Sequence, residues 1–274
     1  MKTIHVTMAG TKDGDGSPEK PFNDPGTALA KVAEPAIVYQ IAPGRYTGWF
    51  IPDELGGAEG QTISFVCSAG RAIILPCAYD QRWCVWGGDN ANYLEFAGLD
   101  FVGAELAGQK FYAGHVRLGD NRYFACGTGP EPGSHCRFGV WLSRPGGNTS
   151  EPGPEGYAVV ACSFFGCGIE PNSDWPIRLC ATRGRVVGNS IYDCAGGIYA
   201  HPSATLSEIA DNRIVKSPGQ GIGVAVWPDI GCPCVRVHGN LLVGTKPSDR
   251  PDGIHSSNGR KFGQAWGNVW REKL

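Results

Sequence analysis

Cationic, aromatic and imidazole side chains recur at equivalent places in short apolar segments of this 274-residue chain. Three segments follow a glycine: Gly197-Ile-Tyr-Ala-His201, Gly221-Ile-Gly-Val-Ala-Val-Trp227 and Gly253-Ile-His-Ser-Ser257. Two others precede them, Phe138–Ser143 and Trp175–Leu179. Along a strand, side chains alternate between two faces, so inward aliphatic residues turn their neighbours outward. The predicted inward residues are Val140, Ile177, Ile198, Ile222 and Ile254. The predicted outward column is Trp141, Arg178, Tyr199, Gly223 and His255, with Ser143, His201, Ala225 and Ser257 beside it.

These residue types suit chemistry on an acidic sugar. In β-elimination at a uronic acid, a cation neutralises the carboxylate and lowers the cost of removing the adjacent proton, which a neutral histidine or tyrosine accepts. Arg178 is the predicted neutralising cation. His201 or His255 is the predicted base, and Tyr199 is the predicted acid that protonates the leaving oxygen. This column therefore predicts a polysaccharide lyase.

Two other functions are compatible with the same surface. Hydrolysis needs two carboxylates about 5 Å or about 6.5–9.5 Å apart. Carboxylates at predicted strand ends or in loops are Asp174, Asp193, Asp229 and Asp252. The third alternative is a non-catalytic glycan-binding or phage-tailspike-like solenoid. The residue types on the predicted rigid sheet favour the lyase.

Long irregular segments adjoin the predicted outward column. The insertion at 127–156 surrounds the Phe138 strand, and residues 228–233 and 245–251 are also rich in turn formers. Long loops within a compact repeat usually carry function, so we interpret these as the walls of a groove. Residues expected to bind substrate in that groove, by ring stacking or hydrogen bonding, are Trp141, Trp227, Asp229 and Asp252.

A sequence repeat provides the elements that would position these residues. Its copies are Arg185-Val-Val-Gly-Asn189-Ser-Ile191, Glu208-Ile-Ala-Asp-Asn212-Arg-Ile214, Arg236-Val-His-Gly-Asn240-Leu-Leu242 and Gln264-Ala-Trp-Gly-Asn268-Val. The asparagines are 23, 28 and 28 residues apart. A period of this size indicates a repeat architecture. The alternating Val, Ile and Leu residues predict strand–turn–strand units that bury their apolar faces only by stacking.

The asparagine explains how the units stack. An inward amide offers both a donor and an acceptor, so it can satisfy the backbone groups of a sharp bend and its neighbours. Five residues after the asparagine the chain has Cys194, Ser217 and Thr245, all small. The frame extends backwards through Asn121 with Cys126, Cys162 with Cys167, and Leu99 with Ala104. Seven coils from about residue 93 therefore share one register.

Eleven cysteines raise the question of metal or disulfide bonds. The close pair is Cys232-Pro-Cys234, which lacks the second pair that a structural zinc site needs. Cys126, Cys167 and Cys194 occupy the small turn position, where a free thiol behaves as a small apolar side chain. Structural free thiols are therefore the prediction. No cofactor is expected, and calcium is left as an open alternative.

The N-terminal segment differs from the coils. Asp24-Pro25 supplies an N-cap and a first-turn proline for a short helix through about Val32. The open end of a solenoid needs a cover, and this helix is the candidate. The predicted organisation is one domain, residues 1–274. It comprises an N-terminal strand and cap over 1–46, coils over 60–270 and the loop insertion at 127–156.

Charge and hydropathy exclude some partners. The net charge is −2, so no basic field indicates nucleic acid, and no apolar run is long enough to span a membrane. Residues 1–7 lack the apolar core of a secretory signal. The chain as given is therefore expected to be cytoplasmic, or secreted if a signal peptide has been removed. The expected partner is a polysaccharide or oligosaccharide, and the sequence leaves the oligomeric state open.

Two N-terminal motifs resemble a known superfamily. The order Gly10-Thr-Lys-Asp13-Gly-Asp-Gly16-Ser17-Pro, then Pro21-Phe22, a helix and Ala42-Pro43-Gly44-Arg45-Tyr46, is similar to the first segment of many right-handed parallel β-helix proteins. With the asparagine-marked coils, the chain resembles the pectate-lyase-like superfamily. This implies an all-β right-handed parallel β-helix. It does not fix the chemistry, since the superfamily includes lyases, hydrolases, epimerases and phage tailspikes.

Overall fold

The computed structural model describes residues 1–129, 137–143, 155–169, 174–216, 221–226, 235–248, 253–256 and 263–273. In chain order the strands begin with Lys2–Thr11 (β1), Ile37–Ile41 (β2), Gly44–Thr47 (β3), Trp49–Ile51 (β4), Ile63–Val66 (β5), Ala72–Leu75 (β6), Trp83–Gly87 (β7), Leu94–Ala97 (β8), Leu99–Val102 (β9), Ala107–Phe111 (β10), Val116–Gly119 (β11), Arg122–Phe124 (β12), Phe138–Leu142 (β13) and Ala158–Val160 (β14). They continue with Ser163–Phe165 (β15), Trp175–Leu179 (β16), Arg185–Val187 (β17), Ser190–Tyr192 (β18), Ile198–Ala200 (β19), Glu208–Ala210 (β20), Arg213–Val215 (β21), Val224–Val226 (β22), Arg236–His238 (β23), Leu241–Val243 (β24), Ile254–Ser256 (β25), Gln264–Trp266 (β26) and Val269–Arg271 (β27).

These strands form three parallel sheets that the chain visits in turn. Sheet A has the order β1-β2-β5-β8-β11-β14-β17-β20-β23-β26, and sheet B has the order β3-β6-β9-β12-β15-β18-β21-β24-β27. Sheet C has the order β4-β7-β10-β13-β16-β19-β22-β25. Each coil contributes one strand to each sheet, and each strand pairs with its equivalents in the neighbouring coils. The predicted fold class, a right-handed parallel β-helix with a short N-terminal helix, is confirmed.

The corner between sheets A and B is held by the predicted asparagine stack. Asn212 Oδ1 accepts hydrogen bonds from the backbone N and the Nδ2 of Asn189, both at 2.9 Å. Asn240 Oδ1 accepts the same pair from Asn212 at 3.0 and 2.9 Å, and Asn268 continues the pattern. Each Nδ2 also donates to a backbone carbonyl oxygen of the sheet A strand in the preceding coil, as from Asn212 to Val186 at 2.9 Å. The prediction that these four residues stack at one corner is confirmed.

The residue before each asparagine explains the sharpness of this corner. Gly188, Asp211 and Gly239 have φ values of 68°, 55° and 65°. This left-handed region costs most side chains energy, but glycine and aspartate adopt it readily. A left-handed residue directly before the asparagine turns the chain within the two residues that join the strands. The sequence pairs Gly-Asn and Asp-Asn are therefore the local cause of the bend.

Cys162 replaces the asparagine in one coil and supplies the hydrogen-bond donor of the amide but not its acceptor. Its backbone N donates to Asn189 Oδ1 at 2.9 Å, and its Sγ donates to the carbonyl oxygen of Leu118 at 3.4 Å. The thiol thus takes over the donor role of the amide. The cysteine positions of the five-residue column are also confirmed, since Cys126, Cys167 and Cys194 are buried and the Cys167 backbone N donates to Cys194 Sγ at 3.3 Å. Ser217 lies outside the described residues.

The core lies inside the three sheets and is covered at its N-terminal end. Stacked rings follow one another along it, as in Phe101, Tyr123 and Phe164, whose centroids are 5.1 and 4.5 Å apart. The helix Pro25–Lys31 (α1) begins at Asp24, whose Oδ1 accepts a hydrogen bond from the Thr27 backbone N at 2.7 Å. Its buried Leu29 joins the core. The helix therefore acts as the predicted cap.

One predicted register is wrong. Val224, not Ile222, aligns with Ile198 and Ile254, so Ala225 takes the outward place that was assigned to Gly223. Ile222 instead packs on the outer face of sheet C. Ile222, Val224 and Val226 are spaced two residues apart, so the alternation of side chains alone cannot decide which of them is the first inward residue of the strand. The coil strands also begin already at Ile37, within the segment assigned to the cap.

Candidate functional site on sheet C

The outer face of sheet C presents a column in which bulky and cationic side chains follow one another. Strand pairing aligns, in successive coils, Phe50, Trp86, Lys110, Trp141, Arg178, Tyr199, Ala225 and His255. The predicted neighbours Trp141, Arg178 and Tyr199 are adjacent, as expected. Neighbouring strands are about 4.8 Å apart, so equivalent residues three coils apart are separated by roughly 14 Å. Arg178 and His255 are therefore too far apart to act on the same atom.

Lys110 is surrounded by aromatic rings. Its Nζ lies 4.3 Å from the ring centre of Tyr112, 4.4 Å from Trp83, 4.7 Å from Trp141 and 5.3 Å from Trp86. We call these five residues the Lys110 cluster. Lys110 is only 8% exposed, and the described residues give its ammonium no ion pair. Desolvation lowers its pKa to about 8, although Asp80 and Asp89 at longer range act in the opposite direction.

Arg178 lies two coils from Lys110 and is also in contact with rings. Its guanidinium carbon is 5.5 Å from the ring centre of Phe138, 5.6 Å from Trp141 and 5.9 Å from Tyr199. Its Nε is buried and has no hydrogen-bond partner in the described part of the chain. A guanidinium presents a planar fork of donors that suits a carboxylate. Its position fits the role of the predicted neutralising cation.

The two predicted bases occupy different surroundings. The His201 ring lies edge-on to Tyr199 with centroids 6.1 Å apart, and its Nδ1 is 3.1 Å from Ser203 Oγ. His201 therefore lies beside Tyr199, which is next to Arg178 in the outward column. His255 lies two strands beyond Tyr199, and its Nε2 is 3.1 Å from the Lys246 carbonyl oxygen. The structure brings His201, but not His255, together with Arg178 and Tyr199.

The carboxylates proposed for hydrolysis are not assembled on this face within the described residues. Asp174 is buried and accepts hydrogen bonds from the backbone N of Arg137 and of Ile169, at 3.0 and 2.8 Å, beside the Arg137 guanidinium. It therefore supports the loop before β16. Asp193 is exposed at the turn after sheet B, with a φ of 48°. Trp227, Asp229 and Asp252 lie outside the described residues.

The connections at the two ends of the sheet C strands differ in length from those at the corner between sheets A and B. From β8 onwards, sheets A and B are joined by one or two residues. Two connections of sheet C are much longer: residues 125–137 lead into β13, and residues 143–157 lead out of it. Residues 130–136 and 144–154 of the predicted insertion at 127–156 lie outside the described part, but the strand within it is β13 of sheet C, as predicted. The long connections thus begin and end at the edges of the aromatic face.

Sequence reasoning missed half of this face. Trp83 and Trp86 precede the first coil that the repeat placed in its frame. Lys110 and Tyr112 follow Leu99, which replaces the asparagine in its coil, and no outward residues were derived for that coil. A usable signal was present, since Trp83-Cys-Val-Trp86 has the same pattern as Phe138-Gly-Val-Trp141. Strand pairing puts both segments in register with Ala107-Gly-Gln-Lys110, so aligning the three would have located Trp83, Trp86 and Lys110.

The described residues contain no group of three or more His, Cys, Asp or Glu side chains placed to hold a metal ion. Among their helices, none has the length and apolar character required to cross a bilayer.

Comparison with known proteins gives matches in structure but not in sequence. No protein-family model and no curated protein matches the chain. An alginate lyase from Paenibacillus sp. str. FPU-7 aligns over 98% of this chain and 99% of its own, with a TM-score of 0.52 and 13% identity. The GH136 lacto-N-biosidase from Eubacterium ramulus aligns over 100% of this chain and 68% of its own, with a TM-score of 0.52 and 9% identity. Pectate lyase Pel9A covers 98% and 77%, with a TM-score of 0.42 and 14% identity.

The protein is a parallel β-helix. The resemblance to the pectate-lyase-like superfamily predicted from the N-terminal motifs is thereby confirmed for the fold, and no subfamily follows from it. At such identities the similarity concerns the course of the backbone. What this β-helix does must be argued from its own side chains.

Proposed function

We propose that this β-helix binds an acidic polysaccharide along sheet C and cleaves it at a uronic acid by β-elimination. The observation that carries the proposal is the outward column in which two cations, Lys110 and Arg178, alternate with aromatic rings while no described carboxylate joins them. Aromatic faces bind the apolar faces of sugar rings, and unpaired cations attract acidic groups. The two structural neighbours with the higher TM-scores are both named for activity on glycans.

The reaction assigns roles to three adjacent residues. The Arg178 guanidinium binds the carboxylate of the uronic acid and stabilises the negative charge that develops on it. A base removes the proton from the carbon next to that carboxylate. The electron pair forms a double bond to the neighbouring carbon, whose bond to the glycosidic oxygen breaks. His201 is the proposed base and Tyr199 the proposed acid that protonates the leaving oxygen, because His201 contacts Tyr199 whereas His255 does not.

A substrate panel tests the reaction class. Polyuronates, sulfated polysaccharides and neutral polysaccharides are incubated with the protein, and ultraviolet absorbance of unsaturated uronates is followed beside release of reducing ends. Elimination gives both signals on a polyuronate. Reducing ends without absorbance would establish hydrolysis, and binding without either signal would establish a glycan-binding solenoid.

Variants then test the residues. Arg178→Ala should lower kcat/KM on order of 10²–10³-fold, because the carbanion loses its neutralising charge. His201→Ala should lower kcat by a factor on the order of 10²–10⁴, whereas His255→Ala should change kcat little. Arg213→Ala is the matched control, since Arg213 is an exposed arginine on sheet B. Full activity of both Arg178→Ala and His201→Ala would exclude this site.

A further inference from the structure

The Lys110 cluster contains polar groups whose burial is not explained by the proposed cleavage. Lys110 lies two coils from Arg178, and the proposed reaction assigns it no role. Its ammonium is enclosed by four rings, without an ion pair from the described residues. Rings attract a cation through their quadrupoles, so they hold the ammonium in place, but they leave it without an acceptor.

Two indole N–H groups beside Lys110 also lack a hydrogen-bond acceptor among the described residues. Trp86 and Trp141 flank it on the neighbouring strands, and the Nε1 of each is buried without a hydrogen-bond partner among the described residues. An indole N–H can only donate. A cation–π contact accounts for the position of Lys110, but it does nothing for these two donors. Buried donors without acceptors are costly and uncommon in folded proteins.

The unmatched groups share one chemical property. The Lys110 ammonium and the Trp86 and Trp141 N–H groups are all donors, as is the unpartnered Nε of Arg178 in the next coil. A set of donors with no described acceptor is complementary to an anion, which supplies several acceptor oxygens at once. Neutral sugar hydroxyls would satisfy individual donors but would leave the charge of Lys110 uncompensated.

We propose that Lys110, Trp86 and Trp141 form a second anion subsite, which binds a carboxylate or sulfate group carried by the sugar chain. This inference rests on the proposed function only for the identity of the anion's carrier. Lys110 and Arg178 are separated by two strand spacings, roughly 10 Å. The two cations therefore bind different sugar units, and the preferred ligand carries at least two anionic groups.

The subsite can be tested without any catalytic activity. Acetate and sulfate are titrated separately into the full chain while the ¹³Cε signal of each lysine is followed by NMR, with Lys110 assigned from its loss in Lys110→Met. Binding should shift the Lys110 signal saturably and raise its pKa above the value of about 8 that burial imposes on the free protein. Asp80, Asp89, Arg82 and Tyr112 are the titratable groups near Lys110, and they are present in every comparison.

The protein contains its own control. Lys216 is also buried with a pKa lowered to about 8, but its Nζ donates to the carbonyl oxygens of Cys194 and Ala195 at 2.6 and 2.7 Å. Because its acceptors are supplied by the backbone, Lys216 should not respond to either anion. A response of both lysines would indicate a general salt effect and overturn the subsite.

A second experiment measures the sugar ligand. Calorimetry compares a tetra-uronate, its methyl ester and a neutral tetrasaccharide. Lys110→Met should weaken tetra-uronate binding on the order of 10–100-fold and leave the neutral ligand unaffected. Trp86→Phe keeps the ring and removes the N–H group, so it should weaken the tetra-uronate by a few-fold.

The outcomes separate this inference from the proposed reaction. A Lys110 signal that ignores both anions, with normal tetra-uronate binding by Lys110→Met, would show a purely structural lysine and overturn the subsite. Anion binding at Lys110 without cleavage of any polymer would keep the subsite and exclude the lyase. Response to sulfate but not acetate would support the subsite and identify a sulfated chain as its ligand.

Discussion

The corner between sheets A and B and the outer face of sheet C are built by the same coils but treat polar groups in opposite ways. At the corner, Asn189, Asn212 and Asn240 give and receive hydrogen bonds from one coil to the next. On sheet C, Trp86, Trp141 and Arg178 keep buried donors without described partners. Identical neighbours satisfy one another only when each residue carries both a donor and an acceptor, as an amide does.

The difference motivates the proposal that a ligand binds on sheet C and not at the corner. A column of donors alone cannot be satisfied by repetition, because every added coil brings further donors. Two buried lysines illustrate the contrast, since Lys216 donates to backbone carbonyls, whereas the described contacts of the Lys110 ammonium are with aromatic rings. The corner is therefore a self-contained structural device. On the sheet C face, the buried donors of Trp86, Trp141 and Arg178 have no such partner among the described residues, which is why we propose a ligand there.

The largest expected effect tests the corner. Asn212→Ala removes two hydrogen bonds received from Asn189 and two donated to Val186 and Asn240. We expect the free energy of unfolding to fall by about 3 kcal/mol, since buried backbone groups lose their partners. Urea denaturation measures it. Asn268→Ala, at the partly exposed end of the stack, is the control, and an equal loss there would contradict a continuous ladder.

The next effect compares two outward aromatic columns. Trp141→Ala should raise the Kd for an acidic oligosaccharide about tenfold, because a stacking surface beside both cations is lost. Phe165 is also outward and lies in a ring stack, 5.1 Å from Phe124, but on sheet B. Phe165→Ala should leave the Kd unchanged. Equal effects of the two substitutions, measured by calorimetry, would remove the distinction between sheets B and C.

The third prediction concerns the pH dependence of stability at Lys110. The folded chain releases this proton near pH 8, whereas the unfolded chain holds it to about 10.5. Between these values the unfolded state binds more protons, so the wild type gains stability with rising pH relative to Lys110→Met. The gain should be on the order of 1 kcal/mol, because residual solvent screens the charge. Denaturation curves from pH 7 to pH 10.5 that stay parallel would contradict the buried, unpaired cation.

The smallest effect sharpens the account of the corner. Cys162 supplies only the donor of the missing amide, through its Sγ and the Leu118 carbonyl oxygen. Cys162→Asn would add an acceptor for the Asn121 backbone N and extend the stack by one coil. We expect stability to rise by up to about 1 kcal/mol. A loss of stability would mean that the core around Cys162 has no room for the larger side chain.

Much of the fold was accessible from the sequence because its determinants are local. Gly-Asn and Asp-Asn pairs form the corner in the marked coils, and alternating Val, Ile and Leu identify the inward side of each strand. Asp24-Pro25 likewise encodes the start of α1 through its own backbone and side chain. Such features act within a few residues, so four of the five predicted outward residues, Trp141, Arg178, Tyr199 and His255, are correct and only Gly223 is wrong.

Only the tertiary structure decided which outward residues meet. Lys110 and Arg178 are 68 residues apart in the sequence, and they lie on the same face because each pairs with the strand of Trp141. The place of Ala225 in the column, and the distance of His255 from Tyr199, also depend on pairing between coils. Strand register is set by packing of whole coils against one another. Ile222, Val224 and Val226 are all spaced two residues apart, so the local sequence does not decide which of them aligns with Ile198.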